Sequence, residues 1–306
     1  MGVAYANSAT LLNVISTFET ILRTIERDIE SGIIATREEC LERLRDIGLS
    51  SFGEIMFSLP NPGCPQISRL LPSMAAAETQ RLWTGTSGMD LLSQSLDFVR
   101  ITSARYGEYT GRSLRNSFIM DFGSGYGRLA RLFYFFTPPR RLYMLDSYQK
   151  SLDECINHDL TTNLFLTDPI PQTLPVGEIQ FDLIYSFSVF THLNETATYC
   201  CLSALCNHLS PNGVLVITIR PYEFWLQNSH ATDILRSSQI DPSTLVANHQ
   251  SGQFVFASTG GIGQPTYGDS SFNVDWITQK LPQLKVAFLD YSLYDSCQLY
   301  VGLVKR

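Results

Sequence analysis

The stretch Phe118-Ile119-Met120-Asp121-Phe122-Gly123-Ser124-Gly125-Tyr126-Gly127-Arg128-Leu129-Ala130 decides how the rest of the chain is read. An apolar run ends in an acid, three glycines follow at alternate positions, and a helical pattern starts at once. Glycine lacks a Cβ, so it enters φ > 0 and lets a ligand lie against the backbone, at an entropic cost unless that freedom is used. A buried strand, a tight glycine turn and a helix N-terminus together build the first crevice of a doubly wound α/β sheet. The spacing also bears on the ligand. A dinucleotide fingerprint has glycine at the first, third and sixth loop positions, whereas here Arg128 holds the sixth and the third glycine, Gly127, sits one residue earlier.

Four further strand patterns follow in order. Arg141-Leu142-Tyr143-Met144-Leu145-Asp146 is a second acid-terminated strand with a helical stretch over 149–160, and Leu164-Phe165-Leu166-Thr167-Asp168 is a third. Phe181-Asp182-Leu183-Ile184-Tyr185-Ser186-Phe187-Ser188 makes a fourth, with a helix expected over 194–209. Pro211-Asn212-Gly213 reads as a turn into a fifth strand, Val214-Leu215-Val216-Ile217-Thr218-Ile219. Unbroken apolar runs of this kind suit parallel strands covered on both faces. Gly252-Gln253-Phe254-Val255-Phe256-Ala257 is taken as the sixth strand, 274–281 as a short helix and 298–304 as the last strand. The stretch 260–265 is glycine-rich, but no lysine follows it as a phosphate-binding loop requires.

Glycines at alternate positions behind an acid, followed by this order of elements, resemble the class I S-adenosylmethionine-dependent methyltransferases. The resemblance spans roughly 116–306. It implies an α/β fold: a doubly wound, seven-stranded, mostly parallel sheet whose last strand inserts antiparallel between strands five and six. Residues 116–306 would be the Rossmann-like S-adenosylmethionine-binding methyltransferase domain. Residues 1–115 would be an added helical region serving as lid or oligomerisation element. By the same resemblance Gly123, Ser124, Gly125 and Gly127 line the cofactor loop and Asp121 lies near the methionine ammonium. Asp168 meets the adenine amino group, and Ser186 and Phe187 flank the methionine portion. An acid about 20 residues past the glycines suits two ribose hydroxyls, which points to Asp146, with Ser147 beside it.

Catalytic residues are harder to read, because aligning a nucleophile with a sulfonium methyl is mostly a matter of positioning. His192 falls where the mouth of the site is expected, and histidine titrates in the range useful to a general base acting on a hydroxyl; its plain alternative is a cap of the helix starting near Asn194. Arg220 and Tyr222 follow the fifth strand at the carboxyl edge, where open sheets bind ligands, and are candidate substrate contacts, although Arg220 can equally pair with Glu223. Trp83 and Tyr106 are candidates to cover a sulfonium or are ordinary core. Tyr267 and Asp269 are further candidate substrate contacts.

The N-terminal third reads as helices. Leu11, Ile15, Phe18, Leu22, Ile25 and Ile29 form one amphipathic stripe, suited to packing on the domain or to a short homodimer seam. Gly32 can end that helix. Thr36-Arg37-Glu38-Glu39 has capping-box form, with a helix to about Ile47 that Gly48 stops. An irregular connector is expected over 59–72, then helices over 74–83 and 89–106.

The 306 residues are 44% hydrophobic and 17% charged, with net charge −7 and no long run of Lys or Arg. Nucleic acid, which demands clustered basic residues, is disfavoured as a substrate. No apolar run reaches membrane-spanning length, and the first ten residues lack a basic n-region, so a cytoplasmic protein acting on a small molecule is expected. The seven cysteines form no Cys-x-x-Cys pair and the five histidines are scattered, so no metal is expected. The resulting expectation is S-adenosylmethionine-dependent methylation of a small-molecule or saccharide acceptor, at a hydroxyl. The alternatives are a non-catalytic methyltransferase-like partner subunit or, given the missing sixth-position glycine, a less favoured NAD-dependent oxidoreductase.

Overall fold

The computed structural model describes residues 19–160, 163–229, 231, 232, 235, 241–258 and 266–306. Among the described residues nine strands follow in chain order: β1 Ile119–Phe122, β2 Leu142–Asp146, β3 Leu164–Leu166, β4 Phe181–Ser186, β5 Leu209–Ile219, β6 Val255–Ser258, β7 Gly268–Ser271, β8 Leu284–Tyr291 and β9 Leu299–Lys305. Seven form one sheet in the order β3-β2-β1-β4-β5-β9-β8. The first five are parallel, and β9 runs antiparallel to both β5 and β8. The chain order reverses at β1, where β2 and β4 flank it. That reversal is the switch point at which open α/β sheets hold ligands.

Side chains of successive residues enter opposite cores, as the period of two along a strand requires. Ile119, Leu142, Met144, Leu183, Tyr185, Val214 and Val216 face one hydrophobic cluster. Met120, Phe122, Leu145, Ile184, Leu215 and Ile217 face the other, with the helix Glu195–His208. The N-terminal helices belong to the first cluster. Leu22, Ile25 and Ile29 of Glu19–Glu30, Cys40 and Leu41 of Arg37–Leu44, Phe52 of Gly48–Ser58 and Phe98 of Gly88–Thr110 are all buried in it. Phe98 packs edge-on against Tyr185 of β4 and Tyr300 of β9, with centroids 6.0 and 5.2 Å apart. Residues 19–110 therefore share one core with the sheet.

Several local readings hold. Thr36 caps its helix with a reciprocal capping box to Glu39, and the helix expected over 194–209 is Glu195–His208, capped by the Asn194 side chain and not by His192. Others are corrected. The stretch 252–257 is not a strand of the main sheet; Val255–Ser258 pairs with Gly268–Ser271 in a separate two-stranded ribbon, and the sheet's edge is Leu284–Tyr291. That strand is poorly marked in sequence because its register slips between Val286 and Phe288, breaking the alternation. The connector 59–72 contains a short helix, Pro65–Leu70, with proline in its first turn, where a missing N–H costs nothing. Gly48 does not end helical structure but joins a 3₁₀ turn to the next helix at φ +79°. Leu11, Ile15, Phe18 and the stretch 260–265 lie outside the described residues.

Candidate active site

The carboxyl ends of β1, β2 and β4 open into a cavity of about 980 Å³. Its floor is the glycine loop. The N–H groups of Gly123 and Ser124 both donate to the Leu145 carbonyl of β2, at 2.8 and 3.1 Å, and Gly127 donates to Ser124 O at 2.9 Å. Gly123 and Gly127 have φ of +76° and +74° and no room for a side chain. A Cβ on Gly123 would lie 2.2 Å from Val189 Cγ2, and one on Gly127 2.3 Å from Leu160 Cδ2. Both positions demand glycine on conformational and steric grounds.

Asp146, at the end of β2, ties this loop to the next. Its Oδ2 accepts from Gly125 N–H and its Oδ1 from Tyr148 N–H, each at 2.8 Å. A carboxylate has about four lone-pair sites, so it keeps acceptor capacity on the cavity wall. Burial raises its carboxyl above the ordinary range, against the lowering effect of these N–H groups. Asp121, 2% exposed, also lines the cavity and accepts from the Tyr185 hydroxyl at 2.9 Å. Burial pushes its carboxyl up to about 7, although Tyr185 and Arg128 oppose the rise. Arg128, 8% exposed, extends from the loop to Gln94 Oε1 (2.8 Å) and Ser95 Oγ (3.1 Å), with its guanidinium carbon 4.9 Å over the Phe187 ring.

The other expected residues are placed unevenly. Ser124, Ser147, Phe187 and Trp83 line the cavity, as does Asp168, exposed at its rim. Trp83 comes from the N-terminal helix Ala77–Thr84 and meets Tyr126 edge-on at 6.3 Å. Gly127 and Ser186 do not reach the wall; Gly127 sits beneath it, and Ser186 is fully buried with no partner for its Oγ among the described residues. Tyr106 is buried in the core shared by the helices and the sheet.

His192 lines the cavity too. Its Nδ1 lies 2.9 Å from the Gly268 carbonyl; a carbonyl can only accept, so Nδ1 carries the proton and Nε2 holds the lone pair. The ring stacks on Tyr267 at 5.2 Å. Arg220 and Tyr222 are corrected as cavity contacts. Arg220 is 8% exposed and ion-paired with Asp269, itself 3% exposed, and its guanidinium carbon lies 3.9 Å over Phe224. Arg220 Nη2 also approaches His192 Nε2 at 3.4 Å. Tyr222 packs against His249 instead. Burial alone would raise Asp269, but the hydrogen bonds and charges of His192 and Arg220 outweigh it and hold the carboxyl low. Asp269 thus braces the wall from behind.

Gln94, Asp295 and Gln298 complete the wall and carry no sequence signal that marked them. Gln298 is 6% exposed; its Nε2 donates to Ser188 Oγ at 3.3 Å, and its Oε1 has no partner among the described residues. Asp295 accepts from Cys297 N–H at 3.0 Å. Both sit between β8 and β9, far along the chain from the glycine loop. Among the described residues no group of three His, Cys, Asp or Glu side chains is placed to hold a metal, and no helix is long and apolar enough to cross a membrane.

Comparison with known proteins adds three findings. No curated protein matches the chain. Solved structures similar to it include an S-adenosylmethionine-dependent methyltransferase from Clostridium acetobutylicum, with 14% identity, 74% of this chain and 96% of that one covered, and a TM-score of 0.47. Another is the magnesium protoporphyrin IX methyltransferase from Synechocystis with bound SAH, with 14% identity, coverage of 75% and 94%, and a TM-score of 0.48. Residues 119–213, from β1 into β5, match the family model of the methyltransferase domain. The matched segment, about a third of the chain, holds the glycine loop and Asp146, and is similar to a methyltransferase domain set in a seven-stranded sheet whose penultimate strand is antiparallel.

Proposed function

We propose that the protein transfers a methyl group from S-adenosylmethionine to a hydroxyl of a small-molecule or saccharide acceptor. The observation that carries this reading is one cavity lined by two unlike sets of residues. Asp121, the glycine loop and Asp146 form one set, and His192, Asp295 and Gln298 another. At about 980 Å³ it is at the upper limit for one drug-sized ligand, which favours a cofactor and a small acceptor together. Asp146 takes the ribose hydroxyls with its remaining lone pairs, Asp121 the methionine ammonium, and Asp168 the adenine edge. Gly123, Ser124 and Gly125 offer a surface without bulk, with Ser147, Phe187 and Trp83 around it.

S-adenosylmethionine supplies an electrophilic methyl on a sulfonium, a good leaving group. The chain's part is to hold the acceptor oxygen in line with that methyl and to take its proton. His192, whose Nε2 holds the ring's lone pair, would take the acceptor hydroxyl's proton at that atom. The Gly268 carbonyl fixes the ring's tautomer, and Asp269 lies 3.5 Å from Nδ1 on the same side. Residues 1–115 act as lid or dimer element over 116–306, and the reaction is placed in the cytoplasm. The test is release of S-adenosylhomocysteine when the protein and S-adenosylmethionine meet a panel of hydroxylated small molecules and sugars, each paired with its deoxy analogue. Turnover with the hydroxylated members, lowered about 10²-fold or more in His192→Gln, is expected. Cofactor binding with no hydroxyl-dependent turnover would favour the non-catalytic partner subunit.

A further inference from the structure

The cavity lining is unbalanced in charge. It holds four aspartates, Asp121, Asp146, Asp168 and Asp295, against one guanidinium, Arg128, and no lysine. The first three acids are taken up by the cofactor reading, and Arg128 follows the glycine loop and is tied to Gln94 and Ser95. Asp295 is left over. Its Oδ1 accepts from Cys297 N–H at 3.0 Å, and its Oδ2 has no hydrogen-bond or ion-pair partner among the described residues. Arg220 is engaged with Asp269 behind the wall.

The loop that carries Asp295 is closed by its own bonds. Asp295 N–H donates to Ser292 Oγ at 3.2 Å, Gln298 N–H to the Asp295 carbonyl at 3.0 Å, and Ser292 N–H to the Gln298 carbonyl at 3.2 Å. Gln298, 6% exposed, stands on the same loop and lines the same cavity. Its Nε2 is engaged with Ser188 Oγ at 3.3 Å, which leaves Oε1 a buried acceptor without a donor among the described residues. Buried polar atoms are nearly always paired, so this oxygen and the free carboxylate oxygen together call for donors. An ammonium brings three donors, no acceptor and a positive charge. We propose that Asp295 and Gln298 receive an ammonium group of the methyl acceptor, which makes the acceptor an amine-bearing alcohol of the amino-sugar or amino-alcohol kind. The assignment rests on the methyl-transfer reading above and narrows its acceptor class. Asp295 binds the ammonium, Gln298 Oε1 is its second acceptor, and the hydroxyl to be methylated lies at His192. A carboxylate or phosphate in that place would meet Asp295 with no cation to offset it, which excludes acidic analogues.

The experiment first titrates S-adenosylhomocysteine into wild type by calorimetry. Turnover with S-adenosylmethionine is then measured on acceptors in matched amine, neutral and carboxylate forms: D-glucosamine, D-glucose and D-glucuronate, with short amino alcohols, diols and hydroxy acids alongside. A hydrogen bond to a charged group is worth about 10- to 100-fold in affinity. The amine form should therefore exceed its neutral counterpart in kcat/KM by about that factor, with the carboxylate form poorest. Asp295→Asn keeps an oxygen for the Cys297 N–H and removes the charge. It should collapse the amine preference to within about 3-fold, acting through KM, and leave S-adenosylhomocysteine affinity within about 2-fold. Gln298→Ala should lower the preference by a smaller factor. Equal turnover of amine and neutral forms, no turnover of any amine form, or a preference undiminished in Asp295→Asn overturns the assignment and leaves cofactor binding intact. Methylation at the amine nitrogen overturns it too, because that nitrogen would then lie at the methyl and not at Asp295. Cofactor affinity that falls in Asp295→Asn as far as the amine preference does gives Asp295 to the cofactor instead. If Asp295→Asn does not fold, the wild-type ranking of the three forms decides alone. Wild type that binds no S-adenosylhomocysteine overturns the cofactor reading itself, and the assignment with it.

Discussion

The glycine loop and the rest of the cavity wall are built on different plans. In the glycine loop the backbone N–H bonds across to β2 and its end are made within 26 residues. Gly123 and Ser124 donate to Leu145, and Gly125 and Tyr148 donate to Asp146, all across the β1–β2 pair. The rest of the wall is assembled from distant segments: Trp83 and Gln94 from the N-terminal helices, His192 after β4, Tyr267 before β7, and Asp295 and Gln298 between β8 and β9. The first plan is compact and has little tolerance, because backbone groups and the absence of side chains do the work. The second lets each wall residue change without disturbing the others, which suits a surface that must fit one acceptor among many.

The comparison predicts brittleness in the glycine loop and tolerance in the rest of the wall, and its sharpest exception should be Asp269. Asp269→Ala leaves Arg220 buried without its counter-ion, so a loss of about 3–5 kcal/mol is expected in chemical denaturation. The pH dependence follows from the same pair. Asp269's folded carboxyl lies below its ordinary value, so its stabilisation is complete above the ordinary carboxylate range and is lost as pH falls through the folded value. Asp269→Asn should be less stable than wild type at neutral pH and show a shallower acid decline. A loss below about 1 kcal/mol would show that this wall has no fixed anchor.

Gly127→Ala comes next. A methyl 2.3 Å from Leu160 at φ +74° should cost about 2–4 kcal/mol by denaturation. A loss near zero would mean that the loop can yield, which would remove the contrast. Asp121 gives a pH test beside the same loop. Its folded carboxyl titrates near 7 against an ordinary 3.8, so between those values the folded state holds the proton that the unfolded state has released. Stability should therefore decline as pH rises from about 4 to 7, and Asp121→Asn should flatten that decline; an unchanged slope contradicts the assignment. The smallest effect is expected for Gln298→Ala, with stability within about 1 kcal/mol of wild type and unchanged affinity for S-adenosylhomocysteine.

The same contrast explains what could be read from the sequence. β1 to β5 are local patterns, apolar runs with acid or glycine punctuation, and the glycine loop's bonds join neighbouring strands, so Asp121, Gly123, Gly125 and Asp146 were legible by position. The edge strand Leu284–Tyr291 was not, because one face is exposed and the slip at Val286 and Phe288 interrupts its period. Val255–Ser258 has strand composition, but composition does not say which partner a strand takes, and it pairs with β7 outside the sheet. Asp269 was visible only as a candidate substrate contact, since its partner Arg220 lies 49 positions away. Arg220 illustrates the general difficulty: the carboxyl edge of β5 was a sound place to look, and a long-range ion pair turned its side chain away from the cavity wall. Gln298 reaches the wall with a carbonyl that has no partner among the described residues, which no spacing encodes.

The central claim is that the carboxylate closing β2 reads a cofactor ribose over a glycine loop. It is tested most directly by calorimetric titration of wild type and Asp146→Ala with S-adenosylhomocysteine, with NAD as the control ligand. The expected result is micromolar binding by wild type, a loss of about 10²-fold or more in Asp146→Ala, and no comparable binding of NAD. Wild type that fails to bind S-adenosylhomocysteine, or Asp146→Ala that binds it as tightly as wild type, would contradict the account.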